Sequence, residues 1–439
     1  MNVTPRGRFL LLLALLAALT GLPARAQTGG PTELEQKLRS LDGVLSVRKL
    51  DPGRSFKEVY EINVRQSLDH ALPDGPSFAQ RVYVSHVDFA EPVVLSTEGY
   101  ASGRPYVTEP ARLLQANQVI VEHRFFGTSR PDSLLWTFLT ARQSADDLHR
   151  VTVMLKKLYP GKWLSTGVSK GGQTTIIYRY FYPGDVDASV PYVAPVNMAQ
   201  EDPRPMEFLN RVGTDSCRER MRQFQRAALR NARQILPLME KFAKEKALVY
   251  SLGLRKMFEF AVLEYPFAFW QYGRPDRCAT VPPPEAPAES LFAHLSDAVN
   301  LSMYADSGVR YFAPFQYQAY TELGYYTYDI APFKDLLVEV KDPSNRIFAP
   351  QGVDLTYRCG TFQAIDRWLR NEAENMILIY GGDDPWTASS PQLTGRTNAL
   401  KMVKKGGSHG TKIRDLDGDQ QEIVCAALES WMGKKITRR

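Results

Sequence analysis

Trp163-Leu164-Ser165-Thr166-Gly167-Val168-Ser169-Lys170-Gly171-Gly172-Gln173-Thr174-Thr175-Ile176-Ile177-Tyr178 sets the reading of this sequence. Trp163 to Thr166 is a compact run suited to a buried strand, and Gln173 to Tyr182 has helical spacing. Between them Gly167-Val168-Ser169-Lys170-Gly171 matches G-x-S-x-G. Small residues stand where the chain must turn tightly from strand to helix, with a serine hydroxyl at the apex and the next backbone N–H open to an anion. Gly406-Gly407-Ser408-His409-Gly410 fits the same pattern. There the following Thr411-Lys412-Ile413-Arg414-Asp415 is charged and starts no helical face, so Ser408 is set aside and Ser169 kept.

Outward from this turn, Val93-Val94-Leu95 and Val119-Ile120-Val121 read as buried parallel strands on either side of a helical segment from Pro110 to Ala116. Ser144 to Leu158 reads as a helix, and Glu58 to Asp88 alternates as antiparallel edge strands do. Downstream, Ala188 to Val193, Met376 to Tyr380 and Ala399 to Val403 read as strands, and Gln420 to Trp431 as an amphipathic helix. The sum is an α/β fold with a mainly parallel sheet. The rhythm breaks between Met206 and Phe333, where Ser216 to Lys246 and Leu252 to Tyr265 are helical and Pro282-Pro283-Pro284 interrupts. This predicts a core over 27–204 and 346–439 with a helical insertion over 205–345. Tyr265, Phe267, Phe269, Trp270 and Tyr272 are expected to form the insertion's own core, with some available to line a pocket.

With 439 residues, 44% hydrophobic and 23% charged, the chain is neither disordered nor fibrous. A net charge of +6 without basic runs excludes a nucleic-acid binder. Arg6 and Arg8, the apolar stretch Phe9 to Leu19 and Ala24-Arg25-Ala26 read as a signal peptide cut before Gln27. That places the protein in a periplasm or outside the cell, without stable membrane insertion. Export makes disulfides among the four cysteines expected. By segment the pairs are Cys217 with Cys278 and Cys359 with Cys425. Their spacing fits no metal site, and Asp415, Asp417, Gly418 and Asp419 place glycine wrongly for a calcium loop. No cofactor is called for, and oligomeric state is left open.

A serine nucleophile needs a base within hydrogen-bond reach and an acid to orient that base. Of the six histidines, His70 and His86 fall in early strands, His149 on the polar side of a helix and His294 in the insertion. His123 ends a buried strand and reads as structural. His409, in a glycine-rich loop before the last helix, is the base. The acid lies after the strand 376–380, in Gly381-Gly382-Asp383-Asp384-Pro385-Trp386. Asp384, held beside proline, is preferred to Asp383. The oxyanion hole takes the Lys170 backbone N–H and a second donor from Ser96-Thr97-Glu98-Gly99-Tyr100, either Gly99 or Glu98. The Lys170 side chain is expected to be solvated or structurally paired.

Glu122-His123-Arg124-Phe125-Phe126-Gly127, Gly167 to Thr174, Asp384-Pro385-Trp386 and Ser408-His409-Gly410 together resemble the secreted prolyl tripeptidyl aminopeptidase family of Streptomyces. That family is related to the lysosomal prolylcarboxypeptidases and dipeptidyl peptidase II. The resemblance runs from about Val59 to the C-terminus. It implies an α/β-hydrolase with a helical cap, a Ser169, Asp384, His409 triad, a substrate-contacting Trp386, and release of tri- or tetrapeptides from free N-termini, often after proline. Where the lysosomal relatives have Ser-Tyr-Gly-Gly, this chain has Ser169-Lys170-Gly171-Gly172, so their specificities are not carried over. An aminopeptidase must bind an ammonium group. Glu98, beside the oxyanion loop, is the candidate, set against a structural role paired to Arg124.

Two other readings keep the same residues. An esterase uses the same triad, although Thr97-Glu98-Gly99 lacks the glycine-rich oxyanion loop of lipases. A non-catalytic binding protein on this scaffold would be expected to have lost a triad member, and all three are present.

Overall fold

A computed structural model describes residues 30–273 and 275–436. The expected signal peptide, residues 1–26, lies outside them. The described strands are β1 (Val44–Leu50), β2 (Glu58–Ser67), β3 (Ser77–His86), β4 (Val93–Thr97), β5 (Asn117–Val121), β6 (Trp163–Val168), β7 (Ala188–Tyr192), β8 (Ile377–Gly381) and β9 (Leu400–Lys404). They form one nine-stranded sheet in the order β1-β2-β3-β5-β4-β6-β7-β8-β9. The first four in that order pair antiparallel, and all pairs from β5 to β9 are parallel. β4, β5, β7 and β8 are buried at every residue, which is why they read as unbroken runs rather than as alternation.

β2 and β3 do not form the edge expected of them, because β1 lies outside β2. Only Val47 of β1 is buried, so the strand offers no apolar run to read. Its exposed Arg48 and Lys49 are the charges that blunt an open edge.

The helices, in chain order, are α1 (Glu33–Ser40), α2 (Glu109–Leu114), α3 (Ala141–Lys156), α4 (Lys170–Phe181), α5 (Arg204–Leu209), α6 (Asp215–Arg230), α7 (Ala232–Glu245), α8 (Leu254–Tyr272), α9 (Ala288–Ala298), α10 (Asp306–Gln318), α11 (Gly360–Asn371) and α12 (Gly418–Met432). They cover both faces of the sheet. Leu378 and Tyr380 of β8 pack with Ile176 of α4 and with Ile365 and Leu369 of α11. The alternate residues Ile377 and Ile379 pack with Val424 and Leu428 of α12 and with Leu114 of α2. A mainly parallel sheet, helices on both faces and a serine turn after β6 make this an α/β-hydrolase fold.

Between β7 and β8 the chain leaves the sheet. Met221, Phe224, Ile235, Met239, Phe258, Leu291 and Leu295, from α6 to α9, share an apolar core that also takes in Tyr265, Phe267, Phe269 and Trp270. The helix expected over Ser216 to Lys246 is two, α6 and α7. They part at Asn231, whose side-chain amide donates to the Ala227 carbonyl. α8 extends beyond Tyr265 and passes through Pro266. Proline cannot donate to the carbonyl four residues back, and Gln225 Nε2 donates to that Val262 oxygen instead, at 2.7 Å.

Cys217 and Cys278 form a disulfide that ties α6 to the segment after α8. The second expected pair, Cys359 with Cys425, is not formed. Cys359 leads into α11 and Cys425 lies within α12, and those helices cover opposite faces of the sheet. Nearness in sequence says nothing about a sheet standing between two residues.

Candidate active site

Ser169 sits between β6 and α4 with φ 58° and ψ −123°, a backbone conformation that costs a side-chain-bearing residue about 1–3 kcal/mol. The surroundings hold it there. Its N–H donates to the Tyr192 carbonyl at the end of β7. A Cβ on Gly167 would stand 2.3 Å from the Gly171 oxygen, and one on Gly172 2.7 Å from the Tyr192 oxygen. Ser169 keeps part of its surface open, whereas Lys170 is buried.

Lys170 opens α4, where backbone N–H groups have no partner within the helix. The loop after β4 lies directly against it, since a Cβ on Gly99 would be 2.7 Å from the Gly171 nitrogen. The Glu98 N–H donates to the Val121 carbonyl. The Glu98 N–H is therefore engaged, and Gly99 stands as the candidate for the second oxyanion donor.

β8 delivers Asp384, fully buried. Its Oδ2 lies 2.7 Å from His409 Nδ1, and its Oδ1 accepts the Trp386 N–H. A carboxylate only accepts, so the proton sits on His409 Nδ1 and Nε2 is left as an acceptor. Asp383 is half-buried, burial raises its pKa, and its carboxyl makes no hydrogen bond with His409. The His409 loop closes tightly on β8, because a Cβ on Gly381 would be 2.2 Å from the Ser408 oxygen. From the other side the His409 N–H donates to the Gln271 carbonyl at the end of α8. The Tyr272 ring stands edge-on to His409 at 5.9 Å. Unlike the other aromatics of α8 singled out from sequence, Tyr272 is exposed.

Of the two expectations for the Lys170 side chain, structural pairing rather than solvation is found. Its Nζ lies 3.2 Å from His123 Nε2 and over the rings of Tyr100 and Phe126. Burial drives its ammonium well below the ordinary lysine range. His123 Nδ1 donates to the Arg124 carbonyl, so Nε2 accepts from Lys170. Burial, and then the neighbouring Lys170 charge, hold His123 neutral. The rest of the Glu122-His123-Arg124 motif is also structural. Arg124 forms a two-point pair with Asp147 and donates to the Ser67, Leu68 and Phe138 carbonyls. Glu122 gathers the N–H groups of Ser102, Thr128 and Ser129.

Arg124 is thus not the partner of Glu98. That carboxyl accepts Tyr106 Oη at 2.5 Å and Ser96 Oγ at 3.4 Å, and burial raises its pKa to about 7. Trp386 packs against Phe267, Tyr325 and Tyr326. Tyr325 continues to Phe315, Phe315 to Tyr100 and Tyr100 to Phe312. This aromatic wall runs from the acid loop to the residues over Lys170. Sequence reading missed it, together with Glu264 of α8, a carboxylate contacted by Tyr326 and Tyr328 whose pKa burial raises to about 7. The signal was the run Tyr325-Tyr326-Thr327-Tyr328, but nothing in its spacing ties it to a serine over 150 residues earlier.

Among the described residues no cluster of three or more His, Cys, Asp or Glu is placed to hold a metal. Asp417 pairs with Lys404, and Asp415 accepts the Lys412 N–H. No described helix is long and apolar enough to cross a membrane.

Residues 31–438 match the family model for PS-10 peptidase S37. The chain is 32% identical to the prolyl tri/tetrapeptidyl aminopeptidase of Streptomyces mobaraensis, over 97% of this chain and 90% of that protein. It is 27% identical to the mouse (Mus musculus) lysosomal Pro-X carboxypeptidase over 44% of this chain and 41% of the other. A solved proline iminopeptidase from Mycobacterium smegmatis aligns with a TM-score of 0.38 and 14% identity, covering 88% of this chain and 99% of that one. With the family model spanning the whole hydrolase fold and the serine turn at its centre, this chain is a serine peptidase and belongs to the PS-10 peptidase S37 family.

Proposed function

We propose that this protein is an exported exopeptidase that removes tri- or tetrapeptides from free peptide N-termini, favouring proline before the scissile bond. The observation that carries the chemistry is the 2.7 Å contact of His409 Nδ1 with Asp384, at the sheet end that also bears the strained Ser169. Ser169 Oγ attacks the scissile carbonyl carbon while His409 Nε2 takes its proton. Asp384 stabilises the imidazolium, and the Lys170 and Gly99 N–H groups receive the oxyanion. As the C–N bond breaks, His409 gives the proton to the leaving amine and an acyl-Ser169 ester remains. Water then attacks that ester with His409 again as base, releasing the peptide acid and restoring the serine hydroxyl.

The aromatic wall of Tyr100, Phe315, Tyr325 and Trp386 suits a proline ring, which packs flat and loses little entropy on binding. Likeness to the Streptomyces enzyme supports the same preference. Residues 205–345 act as the cap over this cleft. The Cys217–Cys278 disulfide supports export, since such bonds persist in oxidising compartments.

The test is hydrolysis of Ala-Ala-Pro-p-nitroanilide with a free and with an acetylated N-terminus, with Ser169→Ala as control. Cleavage of the free peptide alone, abolished in the variant, is expected. Turnover of p-nitrophenyl esters with neither peptide cut would replace this reading with the ester one.

A further inference from the structure

Most buried acids of this protein have an evident partner. Asp147 is matched by Arg124, Glu259 by Arg255 and three backbone N–H groups, Asp202 by Arg204 and Asp384 by His409. Glu264 is different. The hydroxyls of Tyr326 and Tyr328 lie 2.8 and 2.9 Å from its Oε2, and the Tyr328 proton is also within reach of Asn345 Oδ1. Oε1 accepts no hydrogen bond from a described residue, and Glu264 retains some exposed surface. A carboxylate with one oxygen held and the other open, with Tyr326 stacked on Phe267 and packed on Trp386, is suited to a small organic cation. The open oxygen supplies charge-assisted hydrogen bonds, and the rings supply cation–π attraction.

α8 fixes how far this group stands from the chemistry. Glu264 and Gln271 are seven residues apart on one helix, a rise of about 10 Å, and the Gln271 carbonyl holds the His409 N–H at 2.8 Å. An extended tripeptide spans roughly 10 Å from its amine to its last carbonyl. Burial raises the pKa of the Tyr272 hydroxyl, and the nearby charges of Asp384 and then Glu264 add to it, so both carboxylates stand near this ring. Glu98 is oriented otherwise. Thr97 points toward α4, where its hydroxyl donates to the Gly171 carbonyl. Its neighbours Ser96 and Glu98 turn together to Tyr106, which is 44% exposed.

We infer that Glu264 Oε1 receives the α-ammonium group of the substrate, with Tyr326 orienting the carboxylate and α8 setting the distance to Ser169. This rests on the exopeptidase reading above. Binding an ammonium also favours the ionised carboxylate, whose pKa burial raises to about 7 against the lowering effect of the Tyr326 and Tyr328 hydroxyls.

The experiment compares kcat/KM for free and acetylated Ala-Ala-Pro-p-nitroanilide in wild type, Glu264→Gln and Glu98→Gln, alongside the rate of Ser169 labelling by phenylmethylsulfonyl fluoride. In Glu264→Gln the preference for the free peptide is expected to fall about 100-fold, mainly through KM, while labelling keeps its wild-type rate. Full preference retained in Glu264→Gln, or lost only in Glu98→Gln, overturns the assignment. A wild type that cuts both peptides equally overturns the exopeptidase reading and the assignment with it. Should Glu264→Gln fail to fold, Tyr326→Phe takes its place, with a smaller rise in KM for the free peptide expected and an unchanged KM contradicting the role.

Discussion

An alanine at position 99 has no room for its methyl group. Its Cβ would stand 2.6 Å from Lys170 Cβ, 2.7 Å from the Gly171 nitrogen and 2.8 Å from the Lys170 carbonyl carbon. Ordinary contact begins near 3.4 Å, so the loop after β4 must retreat by roughly 0.6 to 0.8 Å. Two of the three atoms are backbone in the first turn of α4 and cannot swing aside. The gap therefore opens between the two proposed oxyanion donors. Losing one such donor costs about 10²–10³ in kcat, and a misplacement of about 1 Å about 10². For Gly99→Ala, kcat on free Ala-Ala-Pro-p-nitroanilide is expected to fall about 100-fold with KM within about threefold. The melting temperature should drop by a few degrees, from an overpacking cost of about 1–3 kcal/mol. Gly103→Ala is the control, because nothing lies within 4 Å of its Cβ. A Gly99→Ala enzyme with kcat within about threefold of wild type would remove this loop from the oxyanion hole. A fall matched by an equal loss of Ser169 labelling sites would signal unfolding rather than a displaced donor.

Lys170→Met is expected to gain stability on wild type, more at pH 7 than at pH 10. Burial lowers the folded-state pKa of Lys170, so below the ordinary lysine value the unfolded chain binds more protons and wild type is penalised, a penalty that fades as pH rises toward 10.5. Calorimetric melting at the two pH values checks this, and an equal difference at both contradicts it. Replacing Cys217 and Cys278 by serine releases a 61-residue separation and is expected to cost about 4 kcal/mol. Wild type under reductant should melt like the double variant, and a melting temperature indifferent to reductant refutes the contribution.

What could be read from sequence and what could not divide along physical lines. The serine turn was legible because its requirements are local: an apolar strand, glycines at contact positions and a helix immediately after. The meeting of Asp384 with His409 followed from chain order, since parallel strands present their C-terminal loops at one end of the sheet. β1 was not legible, because a mostly exposed strand carries no apolar run. Pro266 hid the continuation of α8, since nothing local says that Gln225, from another helix, will serve the orphaned carbonyl. The Cys359–Cys425 pairing failed because proximity was inferred along the chain while the sheet separates the two. Glu264 escaped notice for the same reason: its tyrosine partners come from a segment some 60 residues later.

The position of Glu264 on a helix rather than a loop bears on substrate length. A loop-borne carboxylate can follow ammonium groups at several distances, and discrimination between a di-, tri- and tetrapeptide is then weak. α8 cannot follow in this way. Its interior is locked by Gln225 at the Val262 carbonyl, its flank by the core shared with α6, α7 and α9, and its end by the His409 N–H donating to the Gln271 carbonyl. With both ends of the span fixed, each residue added to or removed from the substrate shifts the ammonium by about 3.3 Å. That exceeds the range over which a hydrogen bond survives. A dipeptide must then leave Oε1 unpartnered, and a longer acyl segment must buckle to reach it. On this assignment a tetrapeptide reaches Oε1 only by leaving the extended conformation. On the proposed assignment, a limit on substrate length is thus the expected consequence of carrying the ammonium-binding carboxylate on a rigid helix.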